Sequence, residues 1–333
     1  MERAAAFAPG TVSNVGCGFD VLGFALEQPG DVVIAIPRDE PGVEILDIAG
    51  DNGRLPREPD RNTASVAARA LLLAIVGSEA GRRGPGIVLV IRKGLPLASG
   101  IGSSGASAVA AVLAVNQALA ADAPEDVLLR CAMEGERVSA GAAHPDNVAP
   151  SLAGGFVLAR SIDPVDMVRL PVPAGLACAV LCPALEIETR AARAILPANV
   201  PLRDAVRQWA NVGALVSALH AGDLELLGRA MVDHIIEPHR AHLVPGFARI
   251  KQAALDAGAI GCNLSGAGPA MFALCRSLDA AKDVSEVMQA ALRTHGGVDG
   301  QVLVSRVSPA GARLVDEEGS GLKAKGSGLK AQG

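Results

Sequence analysis

The sequence predicts an α+β fold built as two layers, and three observations carry that prediction. Strand-like runs in the first third follow one another without regular helical partners, which argues against a doubly wound sheet. The second half closes as helix, strand, turn, strand, helix, strand, the order of a split β-α-β, ferredoxin-like layer. The chain has 333 residues, half of them hydrophobic, enough for two domains of ordinary size and a substantial core.

The elements follow in order. Short apolar runs predict strands at "RAAAFAP", "DVVIAIP", "VEILDI" and "GIVLVIR" in the first third. "GGFVLAR", "DMVRLPV" and "LACAVLCP" follow in the middle, and "GCNLS", "AMFALC" and "QVLVSRV" come late. Helical periodicity predicts helices over 62–76, 104–120, 124–140, 188–195, 202–220, 224–233, 246–257 and 280–294. "SIDPVD" interrupts the strands near Ser161, so the expected domains are 1–165 and 166–310. Residues 311–333 repeat "GSGLKA" in a Gly, Ser and Lys background that could form no core, and are expected to be a flexible tail.

Composition excludes several function classes. A net charge of -5 gives no reason to expect nucleic acid or an anionic membrane, and the absence of Tyr leaves little for base stacking. The apolar stretches are broken by Gly, Pro or charge, so no membrane span is expected. The N-terminus makes a poor signal peptide. Six scattered cysteines lack zinc or disulfide spacing and read as thiols of a cytoplasmic protein, with Cys178 and Cys182 in an apolar run that suits a core.

The chemistry centres on "PLASGIGSSGASAVAA" (residues 96–111), which spells G-x-G-x-x-G at Gly100, Gly102 and Gly105. A dinucleotide turn does not fit. "KGLPLAS" separates the strand from the glycines, no acid ends a second strand about 20 residues on, and a third of the chain comes first. A Walker loop is excluded because no Lys-Ser/Thr follows the glycines. The physics of a phosphate cradle remains: glycines admit an oxyanion to the backbone, Ser103 and Ser104 offer hydroxyls, and the apolar helix that follows aims its positive end at the loop. The competing reading is a glycine-rich connection that lets helices pack closely.

Three segments in order, "APGTVSNVGCGFDVLGFAL", "PLASGIGSSGAS" and "CNLSGAGPAMFAL", resemble the three motifs of the GHMP small-molecule kinases. The intervening "SAGAAHPDNVAPSLAGGF", "ETRAARAILP" and "IIEPHRAHLVP" are similar to the homoserine kinases within that family, and the resemblance extends to about Val307. It implies a ribosomal-protein-S5-domain-2-like N-terminal layer and a ferredoxin-like C-terminal layer. It also implies ATP and Mg²⁺, and a cytoplasmic homodimer acting on L-homoserine.

The resemblance assigns roles by position. Pro96, Leu97, Ala98, Ser99, Gly100, Ile101, Gly102, Ser103, Ser104, Gly105 and Ala106 would bind ATP, with Asn62 and Lys93 lining the nucleotide pocket. Ser104 and Glu136 would hold the metal; Glu136 sits on an apolar helical stripe, where a carboxylate needs a partner, and the alternative is a half-exposed acid paired with Arg130 or Arg137. Glu134 reads as a plain surface acid. Asn14 would stand near the substrate hydroxyl and Asp20 near its ammonium, although both could simply shape turns. His144, Asp146 and Asn147, in an expected turn at "HPDN", would contact homoserine, as would Thr189. Arg193 and Arg240 would clamp its carboxylate, where spacing alone reads as surface arginines. Ser265, Gly266 and Gly268 would wall the site. No general base is assigned, and the remaining histidines have no ligand-like spacing. Two other readings stand: a mevalonate- or sugar-type kinase of the same family, against which Asp20 speaks, and a nucleotide-binding regulator without turnover, against which Ser104 and Glu136 speak.

Overall fold

The computed structural model describes residues 2–77 and 84–317. The first layer grows from a long hairpin, β1 (Ala4–Ser13) and β2 (Leu22–Arg38), whose register shifts between Pro9 and Thr11. The 17 residues of β2 serve two neighbours: Val32–Arg38 pairs with β4 (Gly86–Arg92), and Leu22–Phe24 with β5 (Phe156–Ile162). β3 (Gly42–Ala49) runs parallel to β4. β6 (Val165–Leu170) folds back on β5, and β11 (Arg313–Val315) closes the far edge on β1. Against this sheet lie α1 (Thr63–Val76), α2 (Ser103–Ala118), α3 (Glu125–Ala140) and α4 (Pro145–Ala153). α2 is almost wholly buried, and its alanines and valines merge with Phe24 and Leu89 in one core.

The second layer is a four-stranded antiparallel sheet of β7 (Ala177–Pro183), β8 (Gly261–Leu264), β9 (Met271–Cys275) and β10 (Gly300–Arg306), in the order β10-β7-β9-β8. With the strands renumbered one to four this is 4-1-3-2, the ferredoxin-like arrangement expected. Between β7 and β8 run α5 (Thr189–Ala194), α6 (Leu202–Ala221), α7 (Leu224–Ala230), α8 (Glu237–Arg240) and α9 (Phe247–Asp256); α10 (Leu278–Ala291) joins β9 to β10. α9 and α10 cover one face through Phe247, Ile250, Val284 and Met288. The other face meets the first layer, where Phe24 of β2 packs edge-on to Phe272 of β9 at 5.8 Å and tilts against Phe156 at 5.0 Å. The six cysteines are free and buried, Cys178 and Cys182 both within β7.

Three expectations need correction. The β5–β6 hairpin runs across the expected boundary at 165/166, so the first layer keeps its chain to Leu170. The expected tail starts too early: Arg313–Val315 is a strand, paired through Ala5↔Val315 and Phe7↔Arg313. The "GSGLKA" repeats lie outside the described residues. Finally, "HPDN" opens a helix rather than forming a turn, with His144 at its cap and Pro145 in its first turn, where a missing N–H costs nothing.

Candidate active site

Three glycine-rich segments remote in sequence share hydrogen bonds. β1 ends at Ser13, and the loop to β2 carries positive φ at Asn14 (57°), Gly16 (55°) and Asp20 (58°), which short polar residues tolerate. Asn14 Nδ2 donates to the Gly266 carbonyl at 2.8 Å, and its Oδ1 accepts from the Asp20 N–H at 2.8 Å. The Gly266 N–H returns to the Ser13 carbonyl at 3.0 Å. The Ser265 hydroxyl donates to the Gly100 carbonyl at 2.7 Å, and the Thr11 N–H to the Ile101 carbonyl at 3.1 Å. The segments enclose a cavity of about 670 Å³.

One part of its wall is built for an anion. Gly100 and Gly102 take φ of 80° and 68°, and α2 then starts at Ser103 with no side chain capping it. The first-turn N–H groups and the positive end of a 16-residue helix therefore face the cavity. The Ser104 hydroxyl hydrogen-bonds the Glu136 carboxylate. Glu136 is 4% exposed. Burial pushes its carboxyl up to about 7, against the Ser104 bond and the charge of Lys93. A buried carboxylate beside a hydroxyl is the donor chemistry that suits a hard divalent cation. Neither proposed partner takes Glu136: Arg130 pairs with Asp126, and Arg137 with the surface acid Glu134.

Beneath the loop lies a buried pair that the sequence did not suggest. Lys93 and Asp31 are both sealed from solvent and form an ion pair. The Lys93 ammonium also donates to the Ser103 carbonyl at 3.0 Å and the Ser107 hydroxyl at 2.8 Å, so its three N–H groups have three acceptors. Asp31 further accepts from Ser107 and from the N–H groups of Gly94 and Leu95. The pair ties β2 and β4 to the first turn of α2. Lys93 thus shapes the loop from beneath. Asn62 likewise has a fold role, capping α1 through the Ala64 and Ser65 N–H groups and donating to the Pro56 carbonyl.

The opposite charge pattern gathers around Asp20. Its carboxylate accepts from Arg193 at 2.7 and 2.8 Å. Arg193 and Arg240 both lie over the Phe19 ring, at 5.4 and 5.1 Å from its centre. Arg240 is 2% exposed and donates to the carbonyls of Ala192 (3.0 Å) and Gly266 (3.3 Å), so it is no surface arginine. Burial, then the Arg193 charge, lowers its basicity. Asp146 is buried, its Oδ2 accepting the Asn14 N–H at 3.2 Å and its Oδ1 meeting no hydrogen-bond partner among the described residues. Burial, then the Asp20 charge, raises its carboxyl to about 7. Burial also lowers the pKa of His144. Glu136 feels Asp146 and Lys93, whereas Asp146 feels Asp20 and Arg193. Asp146 therefore stands between the Ser104–Glu136 corner and the Asp20–arginine corner.

Most of the residues assigned by resemblance line this one cavity, Asn147, Thr189 and Gly268 included. Pro96, Ile101, Gly105, Ala106 and Ser265 do not: Pro96 is half-buried away from the lining, and Ile101, Gly105, Ala106 and Ser265 are buried. The sequence reading missed Asp31, whose signal is an acid heading an otherwise apolar strand, and Thr11, which donates to Asn147 Oδ1 at 3.2 Å.

Comparison with known proteins identifies the family. The family model for the GHMP kinases N-terminal domain matches residues 62–155, and that for the GHMP kinases C-terminal region matches 215–294. A homoserine kinase of Chlorobium phaeobacteroides is 44% identical over 95% of this chain and 100% of its own length. One of Pyrococcus furiosus is 40% identical over 90% and 97%. The crystal structure of homoserine kinase from Cytophaga hutchinsonii superposes with a TM-score of 0.88 at 47% identity, covering 95% of this chain and 98% of that one. The Leishmania major mevalonate kinase shares the fold alone, at 17% identity and a TM-score of 0.65.

Proposed function

The chain belongs to the GHMP kinase family and, within it, to the homoserine kinases, and from that membership we propose that it transfers the γ-phosphoryl group of ATP to the side-chain hydroxyl of L-homoserine. The products are O-phospho-L-homoserine and ADP, on the route to threonine. The observation that carries the choice of substrate is the Asp20–Arg193 pair with Arg240 beside it. Homoserine brings a carboxylate and an ammonium. It can part the pair by giving its carboxylate to the arginines and its ammonium to Asp20, so no charge loses its partner. A carboxylate without an ammonium would leave Asp20 uncompensated, which is costly in a half-buried site.

The phosphates sit on the N–H groups opening α2 and on the loop held by Gly100 and Gly102. Glu136 and Ser104 would hold Mg²⁺, which supplies positive charge to the phosphate oxygens when bound. Asn14, His144 and the open Asp146 Oδ1 orient the acceptor between the two corners. Phosphoryl transfer passes through a loose transition state, so positioning and charge neutralisation carry most of the rate without a dedicated base. The proposal extends to a cytoplasmic homodimer, supported by the family resemblance.

The test is ADP release from Mg-ATP with homoserine, 4-hydroxybutyrate, mevalonate, galactose and shikimate. Homoserine should be turned over far faster than the rest. 4-Hydroxybutyrate, which lacks only the ammonium, should lag strongly. Faster turnover of mevalonate, or no acceptor-dependent release at all, would overturn the assignment.

A further inference from the structure

We propose that Gln208 is a positioning residue for the amino-acid corner of the cavity, acting through Asp233 and the Cys17 carbonyl. The inference rests on the homoserine kinase reading and adds to it a residue outside the cavity wall. Gln208 lies on α6 and is 7% exposed, a buried amide on a helix whose next residue, Trp209, is 64% exposed. Its Nε2 donates to the Cys17 carbonyl at 2.9 Å and to Asp233 Oδ1 at 2.8 Å, and its Oε1 accepts the His234 N–H at 2.9 Å. Two donations and one acceptance in a fixed geometry are what a primary amide offers and what neither a carboxylate nor an apolar chain can supply.

Each contact leads to the substrate corner. Cys17 sits in the Asn14–Asp20 loop. Asp233 accepts from the N–H groups of Ile235 (2.9 Å) and Ile236 (3.0 Å) through Oδ1, and of Glu237 (2.8 Å) through Oδ2, so it fixes the start of the short helix that carries Arg240. Arg240 in turn holds the carbonyl of Ala192, on the helix of Thr189 and Arg193. The loop of Asp20 and the helices of Arg193 and Arg240 thus share one anchor. None of the three Gln208 contacts reaches α2, the loop before it, or Asn62. Gln208 should therefore set the affinity for homoserine and leave that for ATP alone.

Full-length wild type, Gln208→Leu, Gln208→Glu and Asp233→Asn are compared by steady-state kinetics with homoserine and Mg-ATP varied in turn. Calorimetric ATP affinity of each preparation reports folding. The leucine removes the hydrogen bonds at similar volume; the glutamate keeps the shape but sets a second carboxylate against Asp233. Gln208→Met replaces the leucine variant if that one fails to bind ATP. Each single change should raise the KM for homoserine about tenfold, with the KM for ATP within about twofold and kcat largely kept. The Gln208→Leu/Asp233→Asn double variant should be no worse than roughly the poorer single, because both act through one contact. A merely structural role would lower the melting temperature and the active fraction while leaving the homoserine KM where it was; that result, or both KM values rising together, would overturn the proposal. Wild type without homoserine-dependent ADP release would instead sink the kinase reading on which it rests.

Discussion

One carboxylate and two arginines differ in how firmly the fold holds them, and that difference decides what removing each should do. Glu136 is sealed in the core with the Ser104 hydroxyl beside it. Glu136→Gln keeps shape and packing but loses the charge that would hold Mg²⁺, so turnover should nearly vanish without a fall in the melting temperature of the ligand-free protein. Normal rates at limiting Mg²⁺ would remove Glu136 from the site. Arg193 is 43% exposed and held by Asp20, whereas Arg240 is buried between the Ala192 and Gly266 carbonyls. Charge-assisted hydrogen bonds contribute roughly 1.5–3 kcal/mol, so each change to Ala should raise the homoserine KM about tenfold to a hundredfold, with the ATP KM nearly untouched. Only Arg240→Ala should also cost stability, because it removes the guanidinium donor from the buried Ala192 carbonyl and leaves the Gly266 carbonyl to Asn14 alone. The two losses should not add, since one anion is shared. With homoserine amide the penalty should shrink; equal penalties for acid and amide would discard the clamp.

The start of α2 shows what the sequence tells about an element and what it withholds. The three glycines look equivalent in the motif, yet they are not. A Cβ on Gly102 would stand 2.1 Å from Thr11 Oγ1 and 3.1 Å from Asn147 Oδ1, and its φ of 68° is strained for any other residue. A Cβ on Gly105 would meet Val148 Cγ2 at 3.6 Å, an ordinary contact inside a helix. Gly105→Ala should therefore leave ATP affinity within about twofold and add a little helix stability, because Ala exceeds Gly in helix propensity by about 1 kcal/mol. Gly102→Ala should weaken ATP binding by an order of magnitude or more, through a displaced Thr11 and a distorted loop. Calorimetry on both variants decides, and equal affinities would make the loop a mere connection. The glycine-rich loop and the helix it opens were legible because glycines and serines before an apolar run carry their physics locally. The Asp31–Lys93 pair beneath it was not, because only the β2–β4 pairing brings the acid under the lysine. For the same reason Gln208, one polar position among many on α6, gave no signal before Cys17 and Asp233 were packed against it.

At the scale of the whole molecule, the ferredoxin-like order was legible because each strand and helix of that layer announces itself by its own period. The first layer was less so: Leu22–Gly30 extends β2 through Glu27, Gln28 and Pro29, and its pairing with β5 is set by residues more than 130 positions away. Closing the two layers over one cavity also has an energetic consequence that appears in the pH dependence of stability. Asp146 is buried between them and titrates near 7 instead of its ordinary 3.8, burial being the first cause and the Asp20 charge the second. Between about pH 4 and 7 the native protein then keeps a proton that the unfolded chain has released. With more protons bound in the native state, stability falls as pH rises through that window; the contribution is fully present below the unfolded value and lost above the folded one. Glu136, raised to about 7 by burial, acts in the same direction. Asp146→Asn should therefore flatten the decline in melting temperature of the ligand-free protein between pH 4 and 7, most visibly as a gain relative to wild type near pH 7.5. Saturating Mg-ATP should oppose the decline in both proteins, since a divalent cation binds the ionised Glu136 and so stabilises the native state more as pH rises. Melting curves at half-unit steps, with and without Mg-ATP, measure both slopes. Parallel curves for wild type and Asp146→Asn without ligand would mean that Asp146 is ionised in the native state, and that solvent or a neighbour already compensates the carboxylate which the fold has buried beside Asn14.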